Sequence, residues 1–177
     1  MNSSDIALLR SAVRDVADFP SAGIVFKDIT PLLSDAALFR LTVDAVTETI
    51  EGQGVTKIVG IDARGFIFAA AAADRLGLGF VPVRKKGKLP WRTEGTEYDL
   101  EYGSNCVEIH ADAVLPGERV WLVDDVLATG GTAAAAAELV KRLGGELAGM
   151  TFLMELEFLR GTRRLPENIP VASVLTF

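Results

Sequence analysis

Cysteine and histidine are nearly missing: the chain holds one of each, Cys106 and His110. A lone cysteine excludes an intramolecular disulfide, and the two residues together fall short of a usual zinc ligand set. A Ser-His or Cys-His nucleophile pair could run only through His110, and no nucleophile-elbow pattern accompanies it. Long apolar runs are lacking as well. The longest uncharged stretch, residues 126–137, is too short and too rich in Gly and Thr to span a bilayer. The opening MNSSDIALLR lacks the basic-then-apolar layout of a secretory signal. The expectation is a soluble, cytoplasmic protein with no membrane partner. Cations are in deficit, with 18 Lys and Arg against 24 Asp and Glu and a net charge of −6. Affinity for a polyanion needs clustered cations, so no nucleic-acid partner is expected. A small anion could still bind where backbone N–H groups and a local basic cluster receive it.

What is present suits a single domain over residues 1–177. Apolar residues make up 49% and charged residues 24%, the profile of a folded chain rather than a disordered one. There is no internal repeat and no low-complexity linker. Ser3 or Ser4 can cap a first helix with Ile6, Leu9, Val13 and Val16 on one face, ended by Phe19-Pro20. A second helix is expected over 35–50, with Leu38, Leu41, Ala45 and Thr49 at helical spacing and Gly52 and Gly54 as stops. Strands are expected over 57–61, 79–83, 119–123, 146–156 and 171–176, and helices over 65–76 and 132–143. Short apolar strands alternating with helices predict an α/β fold: a mainly parallel, twisted sheet flanked by helices. The polar segment 85–110 breaks the rhythm. It reads as a flexible loop with a hairpin over 98–109, and long loops in compact domains are commonly functional lids.

The sharpest feature is VWLVDDVLATGGT, residues 120–132. An apolar strand ends in two acids, a loop of small residues follows, and a helix begins. In open α/β sheets, ligands bind beyond the carboxyl ends of the strands. The backbone N–H groups of Ala128, Thr129, Gly130, Gly131 and Thr132 can converge on a phosphate at the helix start, where the helix dipole adds roughly 0.3–1 kcal/mol. The two threonines add hydroxyl donors. Asp124 and Asp125 would repel a phosphate, so they suit the other end of a sugar phosphate, where hydroxyls offer protons and positive charge can develop. Alone, a DD pair is a turn and a GG pair is loop filler; together in this order they make a site. Rival phosphate motifs fail. Gly87-Lys88 has Pro82 where the first glycine of a P-loop belongs, and Gly77-Leu78-Gly79 runs into Pro82.

Residues 120–132 resemble the signature of type I phosphoribosyltransferases, which binds phosphoribosyl pyrophosphate (PRPP). Three more segments extend the resemblance: DFPSAGIVFKDITPLL (18–33), GIDARGFIF (60–68), and RKKGKLP (84–90) with LEYG (100–103). In order and spacing they resemble the adenine-accepting branch of that family along nearly the whole chain. The resemblance implies that residues 128–132 hold the 5-phosphate and that Asp124 and Asp125 hold the ribose hydroxyls. It assigns adenine to Val25, Phe26 and Lys27 in an N-terminal hood (1–35), and Val126 and Leu127 form the opposite wall. Arg64, in a tight turn after a strand, together with Arg84, Lys85 and Lys88, would neutralise pyrophosphate; arginine suits bidentate phosphate recognition.

The resemblance further implies Mg²⁺ as cofactor, a homodimer in which Arg84 serves the neighbouring site, and a closing loop carrying Glu101 and Tyr102. Mg²⁺ would bridge substrate oxygens with no firm direct protein ligand, reaching Asp124 and Asp125 through water. Glu101 would accept the N9 proton or order the loop. The expected reaction converts PRPP and adenine to AMP and pyrophosphate. The alternatives are another acceptor base, a non-catalytic PRPP sensor, and a sugar-phosphate or nucleotide binding protein. Trp91, Arg92, Cys106 and His110 receive no chemical role.

Overall fold

The computed structural model describes residues 1–99 and 104–177. Nine strands and five α-helices lie in these residues: α1 (Ser3–Ala12), β1 (Arg14–Ala17), β2 (Val25–Asp28), α2 (Thr30–Ser34), α3 (Ala36–Ile50), β3 (Lys57–Ile61), α4 (Gly65–Leu76), β4 (Gly79–Lys85), β5 (Thr93–Asp99), β6 (Ser104–His110), β7 (Arg119–Leu127), α5 (Gly131–Arg142), β8 (Glu146–Glu155) and β9 (Val171–Thr176). Seven strands form one sheet in the order β5-β6-β4-β3-β7-β8-β9. The run from β4 to β9 is parallel, as expected, and the β5–β6 hairpin adds an antiparallel edge. β1 and β2 pair separately as a two-stranded ribbon.

The central strands are buried on both faces, which is why residues 58–61 of β3 and 120–123 of β7 read as unbroken apolar runs. Alternation along β7 divides the core. Val120 and Leu122 join the cluster that contains Ala133, Ala136 and Leu139 of α5. Trp121 and Val123 join the cluster of Leu9, Val46, Phe68 and Ala72 from α1, α3 and α4. The Trp121 indole N–H donates to Thr151 Oγ1 at 2.9 Å, so its polar end is satisfied in the core. Alanines on α4 and α5 let both helices lie close to the sheet.

Several boundaries differ from those expected. The cap of α1 is Asn2, not Ser3 or Ser4, in a capping box closed by Asp5. That helix stops at Ala12, because Arg14–Ala17 pairs with Val25–Asp28 instead. β7 does not end at Val123 but runs to Leu127, with Asp124 opposite Phe152 and Val126 opposite Met154 of β8. The hairpin starts at Thr93, not Tyr98. α3, α4 and β9 lie where the pattern puts them, with Asp35 as N-cap of α3.

Candidate active site

The strand order reverses between β3 and β7. The chain leaves β3 through α4 to β4 on one side, and β7 through α5 to β8 on the other. A crevice opens beyond the carboxyl ends of strands at such a point. A cleft of about 330 Å³ lies there, and its lining includes Arg64 from the turn after β3 and Asp124 to Ala133 from the end of β7. A separate cleft of about 440 Å³ is lined by Asp5, Asp44, Glu48 and Glu51, with Arg75 the one basic side chain among its lining residues. Its charge is wrong for a polyphosphate.

The loop after β7 is shaped by Gly130, the N-cap of α5, whose φ of 80° is left-handed. No side chain at that cap bonds the first-turn amides. The first N–H groups of a helix have no intrahelical acceptor and favour an anion. Thr129 and Thr132, both half-buried, line the same cleft.

Asp124 and Asp125 are 9% and 5% exposed. Burial pushes the Asp124 carboxyl well above the usual carboxylate range, and the neighbouring Asp125 charge adds to the rise. Burial also raises Asp125, while the Arg64 cation pulls it back. Arg64 Nε stands 2.7 Å from Asp125 Oδ2. Among the described residues, Oδ2 is ion-paired with Arg64 yet accepts no hydrogen bond. Asp124 Oδ1 accepts the Asp125 N–H at 2.9 Å. A Cβ at Gly65 would collide with Asp124, so only glycine lets α4 start this close to the acid.

Of the other expected residues, Lys85, Val126 and Leu127 line the cleft. Arg84 and Lys88 are not in its lining. Arg84 Nε donates to Asp62 Oδ2 at 3.0 Å, and its Nη1 donates to Lys88 O at 3.0 Å, which ties the basic loop to the turn carrying Arg64. Val25, Phe26 and Lys27 form β2 outside the lining, but the Phe26 ring centre is 5.2 Å from the Arg64 guanidinium carbon. Phe19 packs edge-on against Phe26 at 5.2 Å. Lys27 Nζ donates to Asp15 Oδ1 at 2.6 Å and sits 4.4 Å over the Phe177 ring. Glu101 and Tyr102 lie outside the described residues. Asp62, Tyr98 and Asn105 also line the cleft and had not been expected there. Asp62 is the first residue of the Asp-Ala-Arg-Gly turn and so carried a local signal; Tyr98 and Asn105 come from the hairpin and carried none.

Parallel sheet, switch-point cleft and glycine-capped helix start together define an α/β protein of the open-sheet, ligand-binding class. The family model for the phosphoribosyl transferase domain matches residues 36–176. The adenine phosphoribosyltransferase of Myxococcus xanthus is 57% identical over 172 residues, 97% of this chain and 93% of that protein. The crystal structure of adenine phosphoribosyltransferase from Rhodothermus marinus superposes with a TM-score of 0.95 at 51% identity, covering 99% of this chain and 100% of that one. The Saccharomyces cerevisiae enzyme, solved with an imino-altritol bisphosphate and adenine, gives a TM-score of 0.91 at 42% identity over 98% of this chain and 99% of its own. The chain belongs to the phosphoribosyltransferase family, among the adenine phosphoribosyltransferases.

Proposed function

We propose that this protein transfers the phosphoribosyl group of PRPP to N9 of adenine, giving AMP and pyrophosphate. The observation that carries the reading is the buried Asp124–Asp125 pair, held beside Arg64 at the mouth of the glycine-capped loop. The names of the relatives and the adenine complex of the yeast enzyme support adenine as the acceptor.

The amides of 128–132 and the Thr129 and Thr132 hydroxyls hold the 5-phosphate. Asp124 and Asp125 accept hydrogen bonds from the ribose hydroxyls. As the C1–O bond loosens, positive charge builds on the ribose, and preorganised acids in a dry site stabilise it without reorganisation. Arg64 and Lys85 meet the departing pyrophosphate; Arg84 and Lys88 complete the cationic side by fixing the loop and adding charge. Phe26 stacks on the purine, main-chain groups near Lys27 read its edge, and Val126 and Leu127 wall the other face. N9 attacks from the side opposite the leaving group, so configuration at C1 inverts. Glu101 takes the N9 proton or orders the loop that it shares with Tyr102, and exclusion of water from the site protects PRPP from hydrolysis.

Magnesium fits this donor set. Asp125 Oδ2 is a buried oxygen on the cleft that, among the described residues, accepts no hydrogen bond, and Mg²⁺ selects oxygen ligands. Among the described residues no three His, Cys, Asp or Glu side chains gather to hold a metal. In this reading Asp124 and Asp125 would hold the ion through water. When bound, the ion neutralises charge on the pyrophosphate.

The reading takes residues 1–177 as one domain, with 1–35 as hood and 85–110 as the loop and hairpin segment. The separate β1–β2 ribbon and the β5–β6 hairpin support that division. It includes a cytoplasmic homodimer. No described helix is long and apolar enough to cross a membrane. Ile67 and Phe80 are 37% and 38% exposed, and Phe80 packs edge-on against Phe66; these exposed apolar side chains support contact with a second copy. Sedimentation velocity tests the dimer.

One assay tests the activity. The protein is incubated with PRPP and Mg²⁺ and offered adenine, hypoxanthine, guanine, xanthine, uracil and orotate in turn, and the nucleotide formed is identified. AMP from adenine supports the reading. A different nucleotide reassigns the base, and none at all leaves a PRPP-binding protein without catalysis.

A further inference from the structure

The chain beyond β8 has no part in the chemistry above, yet it reaches the phosphate loop. Two 3-10 turns, Glu157–Leu159 and Gly161–Arg164, follow the tip of β8. This strap is tied at both ends. Leu156 N donates to Leu127 O at 3.0 Å. Leu165, 7% exposed, lies in the apolar cluster that holds Ala133 and Ala137 of α5. Between the anchors, Arg160 adopts a left-handed conformation (φ 52°) and delivers buried Gly161 onto the loop.

The fit there is backbone against backbone. A Cβ on Gly161 would overlap Ala128 O and stand 3.0 Å from Gly130 N. A Cβ on Gly130 would overlap the carbonyl of Gly161. The two glycines differ in why they are needed. Gly130 has positive φ, so its own conformation disfavours a side chain. The backbone of Gly161 is not left-handed, and what forbids a side chain there is the loop alone. Strap and loop are both anchored, so an added methyl must push one backbone away from the other.

We infer that Gly161 is a positioning residue for the 5-phosphate site. The strap sets the height of the 128–130 turn, and the turn sets where the amides at the start of α5 point. The inference rests on the reading of 128–132 as the phosphate loop.

The test compares Gly161→Ala with Gly145→Ala. Gly145 lies beyond the far end of α5, where a Cβ would stand 2.5 Å from Val114 Cγ1 and 3.1 Å from Val140 Cγ1. Both variants add a methyl where neighbouring atoms leave no room, but only the first presses on the loop. Calorimetry measures ribose 5-phosphate and pyrophosphate binding, kinetics give KM for PRPP and adenine, and melting gives Tm. Gly161→Ala should weaken ribose 5-phosphate on the order of tenfold or more, since small misplacements of a binding loop act at that scale. PRPP KM should rise in step, while pyrophosphate binding stays within about twofold. Gly145→Ala should lower Tm and bind ribose 5-phosphate as the wild type does. Equal weakening of both ligands, or unchanged ribose 5-phosphate affinity in Gly161→Ala, overturns the inference. Should Gly161→Ala not fold, Leu165→Ala replaces it, because it frees the far anchor and adds no atom at the loop. The same selective loss supports the role, and an unselective or absent loss overturns it. A wild type that does not bind ribose 5-phosphate overturns the phosphate-loop reading instead, and the inference falls with it.

Discussion

One guanidinium joins two parts of the cleft: Arg64 is 2.7 Å from Asp125 through Nε and 5.2 Å from the Phe26 ring centre through its central carbon. The arginine projects from the turn after β3, the acid from β7 and the ring from the N-terminal ribbon. Charge and shape at this point can be separated by substitution. Arg64→Lys keeps the cation but loses the planar fork. It should lower kcat/KM for PRPP by roughly 10- to 100-fold, the equivalent of one charge-assisted hydrogen bond of about 1.5–3 kcal/mol. Arg64→Gln also removes the charge that holds Asp125 down. The acid limb of its pH–rate profile should therefore move to higher pH, while that of Arg64→Lys stays in place. Coincident limbs in both variants would disconnect Arg64 from the ionisation of the acid pair.

Phe26 is expected to act on the base alone. It stands on β2, outside the lining of the phosphate cleft, with its ring centre 5.2 Å from the Arg64 guanidinium carbon. Stacking of a base on an aromatic ring contributes about 1–3 kcal/mol. Phe26→Ala should raise KM for adenine by roughly 5- to 100-fold on that scale, with KM for PRPP changed much less. Equal increases for both substrates would show that the ring supports Arg64 rather than the purine.

At the opposite end of the sheet, Glu118 supports the fold without touching the site. Its carboxylate accepts from Leu115 N and Lys57 Nζ and from the Thr56 hydroxyl. These bonds, the Leu115 amide first, lower its pKa from 4.5 to about 2. A carboxyl whose folded pKa lies below its unfolded value contributes stability above the unfolded pKa and loses it as pH falls through the folded one. Glu118→Gln should therefore destabilise the protein at pH 7 by about 1–2 kcal/mol after screening is allowed for. The difference from wild type should shrink as pH falls from about 4.5 towards about 2, and kcat at neutral pH should not change. A constant difference in Tm across that window would locate the effect in packing rather than charge.

The elements that were legible in the sequence are those whose signal is local. α4 runs from Gly65 to Leu76, as its alanine-rich helical run predicts, and Gly77 caps it. The phosphate loop announces itself through an acid pair, two glycines and a helix start in order. What was illegible depends on partners far along the chain. Val13 and Val16 continue a helical spacing, but the strand Arg14–Ala17 is formed by its pairing with Val25–Asp28. Two carboxylates look like the end of a strand. The β7 ladder to β8 is made by main-chain groups, though, and it continues through Asp124 to Leu127. Tyr98 and Asn105 reach the cleft because β6 pairs with β4, a register no local pattern encodes. The contact of Gly161 with Ala128 and Gly130 joins segments about thirty residues apart through a turn too short for periodicity.

Asp124 should expose a conflict between stability and turnover. Its carboxyl is buried, its pKa is raised by desolvation and then by Asp125, and α4 presses on it through Gly65. A carboxyl whose folded pKa exceeds its unfolded value favours the folded state at low pH and loses that contribution as pH rises through the folded pKa. Above the ordinary carboxylate range the buried pair therefore costs the fold stability, because burial and the neighbouring acid both oppose ionisation of Asp124. Asp124→Asn removes one charge at nearly constant shape. The variant should melt higher than wild type at pH 7, by roughly 2–4 °C if the relief is about 1 kcal/mol, and the gain should fade as pH is lowered. Its kcat should fall on the order of 10²-fold or more, because the same charge faces the ribose when positive charge develops there. Differential scanning calorimetry over a pH series, set beside steady-state rates, reads both effects on one protein. A variant that loses Tm at pH 7 would mean the acid is held by its hydrogen bonds rather than strained by its burial, and a variant with unchanged kcat would remove Asp124 from the reaction.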